Sequence, residues 1–275
     1  MQSDAAAIQE FSQRIAKEAG HLMVERLKAG AESLATRYKA SGSELVTQVD
    51  EDVDALISLA IQEAFAGHRI LAEESAPDTQ GLSQIQEPLW ILDPIDGTVN
   101  YAHDHSHSAV SIAWACQGKV LSAVVYNPFT DEMFTALKGQ GAYLNGRAIE
   151  PSGVSEMKRA LFATGFPYQK DNLAPLMERM SVMLSNCADL RRAGSAALDI
   201  CWVAMGRLDI YYENLSVWDF AAAQLIAREA GAVYGHFKEI PPGVNPEFHD
   251  RHILVANSQA MFDRAHAMLS ACPAG

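Results

Sequence analysis

The chain has 275 residues, with 21 Lys plus Arg against 34 Asp plus Glu and a formal net charge of −13. Hydrophobic residues make up 49% and charged residues 20%, a globular composition that excludes a disordered, collagen-like or disulfide-scaffold chain. The acidic excess argues against nucleic acid or anionic lipid as partners, because phosphate contact needs clustered Lys and Arg.

The first 30 residues lack a basic leader followed by an apolar segment, and no apolar run is long enough to span a bilayer. The four cysteines, Cys116, Cys187, Cys201 and Cys272, show no CxxC spacing. Together these point to a cytoplasmic protein with reduced thiols.

In chain order, Ile8, Phe11, Ile15, Leu22, Met23 and Leu27 recur at helical spacing and predict an amphipathic helix fading near Ala35. Residues 38–44 are small and polar and predict a loop, which carries Lys39. A second helix is expected after Thr47. Asp50 to Asp54 place negative charge at its start, and Val53, Leu56, Ile57, Ala60, Ile61 and Ala64 form its apolar stripe. Gly67 ends it.

Strand signals then dominate: 69–72, 89–92 (stopped by Pro94), 108–116, 120–126, 132–136 and 141–144. Strands in succession without helices between them predict an antiparallel sheet. After Pro151 the pattern alternates, with strands at 161–164, 190–192, 208–212 and 253–256. Helices are expected at 173–184, 196–205, 221–230 and 259–269. The expectation is an α+β half over 1–150 and an α/β half over 151–275, packed around a cleft.

Chemistry concentrates in five places. The segment 90–100 ends a buried strand in Asp93, Pro94, Ile95, Asp96 and Gly97. Taken alone it fits a Pro–Asp–Gly turn with capping carboxylates. It fits equally two carboxylates and the Ile95 carbonyl converging on a hard cation such as Mg²⁺. Glu73 and Glu74 end another short strand. Asp219 precedes the helix expected at 221–230, as an N-cap or as a further ligand across the cleft. In the run 191–197, Gly194 and Ser195 open a helix whose N–H groups suit an anion or a sugar hydroxyl. Glu213 ends the strand DIYYE, where its carboxylate could accept from a polyol.

LVTQVD (45–50), AEES (72–75), WILDPIDGT (90–98), GSAALD (194–199) and WDFAAA (218–223) resemble the inositol monophosphatase family, in family order and at family spacing over most of the chain. The text between these motifs is most similar to the bacterial, SuhB-like branch. The resemblance implies a layered α-β-α-β-α sandwich and a lithium-sensitive, Mg²⁺-dependent phosphatase that is commonly a homodimer. Its substrate would be a small phosphate monoester, with inositol 1-phosphate leading.

The resemblance also implies roles. Glu73, Asp93, the Ile95 carbonyl and Asp96 would hold a first metal, and Asp93, Asp96 and Asp219 a second. A third ion would sit near Glu73. Thr98 with Asp50 would orient the attacking water. Gly97 and Thr98 would bind phosphate. Arg191, Gly194, Ser195, Ala196, Glu213 and Asp219 would line the alcohol side, and Lys39 would belong to a loop that closes the metal site. The alternatives are a related phosphatase of the same fold acting on histidinol phosphate, fructose 1,6-bisphosphate or a nucleotide 3′-phosphate, or a regulatory protein that keeps the fold. The departures are Ala72 for a usual Gly, Val99 for a usual Thr, the His-rich run 101–107 and the segment 235–249.

Overall fold

The computed structural model describes residues 2–30, 34–38, 45–168 and 170–273. Lys39 lies outside them. Among the described residues the chain forms two large sheets. The first has seven strands in sequence order: β3 (Arg69–Ala72), β4 (Leu89–Asp96), β5 (Ala109–Cys116), β6 (Lys119–Asn127), β7 (Glu132–Leu137), β8 (Ala142–Leu144) and β9 (Arg147–Ala148). Its ladders are antiparallel except the parallel pair β3–β4. A small ribbon, β1 (Arg37–Tyr38) with β2 (Leu45–Val46), lies before it in the chain.

The second sheet has five strands: β10 (Leu161–Thr164), β11 (Asp189–Arg191), β12 (Ile210–Glu213), β13 (Val233–His236) and β14 (Ile253–Ala256), in the spatial order β11-β10-β12-β14-β13. The β11-β10-β12 part is parallel and the β12-β14-β13 part antiparallel.

Side chains alternate across a strand, so each sheet sorts its apolar residues onto two faces. On the first sheet, Trp90, Leu92, Ile112 and Val124 pack against Ile15 and Met23 of α1 (Gln2–Lys28) and Val53 and Ile57 of α2 (Gln48–Ala64). Leu89, Ile91, Ala113 and Val125 face the other way. They meet Leu198 and Ile200 of α5 (Ala196–Ala204) and Phe220 and Ala223 of α6 (Val217–Ala230). Tyr211 and Val255 of the second sheet cover the far side of those two helices. On that sheet's outer face, Phe162, Ile210 and Leu254 pack against Met183 of α4 (Ala174–Asn186) and Met261 and Leu269 of α7 (Gln259–Ala271). The result is the expected α-β-α-β-α layering. A strand covered on both faces reads as a continuous apolar run, as residues 89–92 do, and every residue of β4 is buried, Asp93 and Asp96 included.

Two of the boundaries that differ from the sequence reading bear on the cleft. Strand β4 does not stop at Pro94 but runs on to Asp96. Its pairing with β5 shifts between Asp93↔Ser111 and Asp96↔Ala109, which leaves one extra residue in β4. Such a bulge tolerates a proline, because a ladder hydrogen bond is already interrupted there. Helix α6 begins at Val217, so Asp219 lies inside its first turn. The start is marked by Ser216 and Asp219 at capping-box spacing, upstream of the apolar run that periodicity detects. All four cysteines are free thiols. No helix among the described residues is long and apolar enough to cross a membrane.

Candidate active site

The end of β4 enters a cleft of about 760 Å³ between the two sheets. It is lined by Glu73, Asp93, Ile95, Asp96, Gly97 and Thr98 from one side and by Gly165, Arg192, Gly194, Ser195, Glu213 and Asp219 from the other. The bulge turns the Asp93 carboxylate back, where Oδ1 accepts from the Ile95 N–H at 3.0 Å. Gly97 follows at φ +91, in the left-handed region. A Cβ there would lie 3.1 Å from the carbonyl oxygens of both Gly194 and His107, so the close approach as well as the backbone angle requires glycine.

Glu73, Asp93 and Asp219 each place a carboxylate oxygen within 4.8 Å of the others. They come from the turn after β3, the strand β4 and the helix α6. Asp219 has one oxygen engaged, since Oδ2 accepts from the Ser216 N–H at 2.9 Å. The Asp93 carboxyl is held well above the ordinary range, first by burial and then by repulsion from Glu73, Asp96 and Asp219. Asp219 is raised for the same reasons. Three carboxylates at this separation cannot all ionise without a counter-charge. An oxygen-only donor set of this kind fits a hard divalent cation, which would reverse the repulsion. The cluster is therefore able to hold a metal ion.

Asp96, expected among the ligands, has different company. Its carboxylate accepts from the Ser195 hydroxyl, from the Ala197 N–H at 2.8 Å and from the Ala196 N–H at 3.3 Å, at the N-terminus of α5. Burial pushes its pKa up to about 6, while these donors pull it down. Ser195 and Ala196, read from the sequence as substrate contacts, thus meet Asp96 across the cleft. The Ile95 carbonyl lies 3.1 Å from the Thr98 hydroxyl.

Thr98 and Asp50 do come together. The Thr98 hydroxyl lies 2.9 Å from Asp50 Oδ1. Asp50 is the third residue of α2, and its Oδ2 accepts from the Thr47 N–H at 2.7 Å and the Thr47 hydroxyl at 2.6 Å. The helix cap and the site therefore share one carboxylate. Asp50 is 1% exposed and Thr98 lines the cleft, so Thr98 stands between Asp50 and any molecule bound there. Burial pushes the Asp50 pKa up to about 6 against the hydrogen bonds from Thr47 and Thr98. One turn further along α2, Asp54 accepts from the Ser75 N–H at 2.9 Å and the Ser75 hydroxyl at 2.8 Å, which ties down the turn that carries Glu73.

On the alcohol side one residue changes. Arg191 is exposed, with its guanidinium on Asp189 at 2.7 Å and on the Leu190 carbonyl at 2.8 Å. Arg192 lines the cleft instead, stacked over Phe166 at 5.4 Å. Residue 191 ends β11, and one position decides which way a side chain points. Trp218 of the WDFAAA motif also lines the cleft, as do Phe166, Tyr168, Lys170, Asp250 and Arg251, which lie outside the five motifs. Of the His-rich run, His103 lines the cleft, and His107 Nε2 lies 3.0 Å from Asp199. The Asn100 amide donates to the carbonyls of His107 and Ala193 at 2.7 and 2.8 Å, which fastens this loop to the α5 side.

The inositol monophosphatase family profile matches residues 4–273. The chain belongs to the inositol monophosphatase family. Nus factor SuhB of Vibrio cholerae is 42% identical over 226 residues, covering 82% of this chain and 83% of that protein. Among solved structures, the extragenic suppressor protein SuhB of Bartonella henselae superposes with a TM-score of 0.84 at 31% identity, covering 96% of this chain and 99% of the other. The inositol monophosphatase of Anabaena gives 0.79 at 30% identity, with 98% of both chains covered. The inositol monophosphatase fold is thus shared with a named phosphatase and with proteins named for another role.

That second naming corrects one expectation. Exclusion of nucleic acid from the partners rested on the net charge, and it does not stand beside relatives named Nus factor. Net charge averages over the whole surface. It says nothing of a local patch or of an assembly entered through protein contacts.

Proposed function

We propose that the protein is a Mg²⁺-dependent phosphomonoesterase acting on a small polyol phosphate, with inositol 1-phosphate the leading substrate. The observation that carries this is the buried carboxylate cluster of Glu73, Asp93 and Asp219 in the same cleft as the Thr98–Asp50 pair. Glu73, Asp93, the Ile95 carbonyl, Asp96 and Asp219 would hold two or three ions. Bound there, Mg²⁺ supplies positive charge that attracts phosphate oxygens, lowers the pKa of water and stabilises a leaving alkoxide.

The chain's own residues do the rest. When the Thr98 hydroxyl donates to Asp50, its oxygen is left to accept from a water in the cleft. As the water oxygen bonds to phosphorus and the bond to the alcohol oxygen breaks, the water proton passes to Thr98 and the Thr98 proton to Asp50. The leaving oxygen takes a proton from solvent, so the products are alcohol and phosphate. Gly97 gives the backbone room to approach the phosphate. Glu213, Gly194 and Arg192 face the alcohol. Inhibition by Li⁺, a homodimer and a cytoplasmic location belong to the same reading.

A second reading has its own support. Relatives that share up to 42% of their residues are named Nus factors, which favours a regulatory protein that keeps the fold. The test is phosphate release from inositol 1-phosphate, glycerol 2-phosphate, fructose 1,6-bisphosphate, histidinol phosphate and adenosine 3′,5′-bisphosphate, with and without Mg²⁺ and Li⁺. Strong Mg²⁺-dependent release from one ester is expected. No release from any of them by folded protein overturns the enzymatic reading. In cells, Asp93→Asn separates the two: loss of the phenotype supports catalysis, and its survival supports the regulatory role.

A further inference from the structure

Gly165 follows β10 directly, and Glu213 ends the neighbouring parallel strand β12, with Thr164 paired to Tyr212. The two residues therefore come side by side at the floor of the cleft, which both of them line. Gly165 is not in the left-handed region, so its backbone angles would suit any residue. Its requirement is space. A Cβ at this position would lie 2.0 and 2.1 Å from the two carboxylate oxygens of Glu213 and 2.3 Å from the carbon between them. Opposite, the hydroxyl of the fully buried Tyr211 donates to Glu213 Oε2. The carboxylate is seated between a missing side chain and a fixed donor.

We infer that Gly165 is a specificity-determining residue, whose absent side chain seats the Glu213 carboxylate against the hydroxyl-bearing part of the substrate. This rests on the phosphatase reading and adds a selectivity for polyol over plain esters. The atoms a Cβ would strike belong to the end of a flexible side chain. A methyl group at 165 therefore leaves the fold standing and displaces the carboxylate. Gly165 acts through Glu213 and is a positioning residue. Its effect should fall on esters whose alcohol carries hydroxyls and spare esters whose alcohol carries none.

The test compares wild type with Gly165→Ala on inositol 1-phosphate and on p-nitrophenyl phosphate at saturating Mg²⁺. The expected result is a loss of about tenfold or more in kcat/KM for inositol 1-phosphate, carried by KM, with p-nitrophenyl phosphate changed less than about twofold. Tyr211→Phe should show the same pattern more weakly. In a Glu213→Ala background the Gly165 substitution should add nothing, because the group it displaces is gone. Equal losses on both esters, no loss on either, or a full additional loss in the double variant would overturn the inference. Calorimetric titration with inositol 1-phosphate and with inorganic phosphate makes the same comparison without turnover. If the wild type hydrolyses neither ester yet Gly165→Ala weakens only inositol 1-phosphate, the phosphatase reading fails and the inference stands. A wild type that binds neither overturns both.

Discussion

Asp93 and Asp96 sit three residues apart on one bulged strand, and both are buried, yet their carboxylates behave differently. Asp96 is answered by a hydroxyl and two N–H groups at the start of α5, and its pKa rises only to about 6. Asp93 faces Glu73 and Asp219 and is held well above the ordinary carboxylate range. Burial is common to the two, and the partners differ: donors stabilise the charge of Asp96, and neighbouring carboxylates oppose that of Asp93. Asp96 meets protein donors as well as the cleft, and Asp93 meets mainly other carboxylates.

The largest expected effect comes from breaking the second arrangement. Asp93→Asn should cut Mg²⁺-dependent phosphate release by about a hundredfold or more, since it removes a shared ligand. It should also raise the melting temperature of metal-free protein, because a source of repulsion is gone. A metal-free variant that melts lower than wild type would mean that the cluster is not strained by its own charge.

Next in size is the response to metal. Millimolar Mg²⁺ should raise the wild-type melting temperature by several degrees, as about 2.7 kcal/mol is gained at a hundred times Kd. Asp93→Asn should lose most of that gain. An equal shift in both proteins would place the metal elsewhere.

Ser195→Ala sharpens the other side of the comparison. It takes one donor from Asp96 and should cost about 1–3 kcal/mol, read by denaturant melts. A change below about 0.5 kcal/mol would show that the two N–H groups suffice.

The smallest effect is on pH. Asp50 titrates near 6 and Glu213 near 7 in the folded chain, against ordinary values of 3.8 and 4.5. Between those limits the folded state binds more protons than the unfolded one, so stability falls as pH rises. Metal-free protein should therefore melt higher at pH 5 than at pH 7. The opposite slope, with the fold intact at both values, would contradict the raised values.

Much of this site was legible because its parts are local. DPIDGT carries two carboxylates, the bulge and the glycine within six residues, and the Thr47–Asp50 spacing marks a helix start. The continuous apolar run at residues 89–92 also foretold a buried strand. What escaped was set by distant residues or by parity. The company Asp96 keeps comes from about a hundred positions away, and no local pattern announces it. Arg191 and Arg192 are the same residue type and both exposed, and one position at the end of a three-residue strand decides which of them lines the cleft. No local pattern marks Gly165, because the carboxylate that crowds it belongs to Glu213, far along the chain.

Asp50 and Asp54 lie one turn apart on α2, one reaching Thr98 and the other holding the turn behind Glu73. The helix is a ruler laid along the cleft. Four residues of rise, about 6 Å, separate the two anchor points, and that interval belongs to helical geometry rather than to any loop. A slide or tilt of this one rod would carry both anchors together. Drift in the surrounding loops would leave their spacing untouched, so the distance between the Thr98 anchor and the Ser75 anchor is inherited from the pitch of a helix.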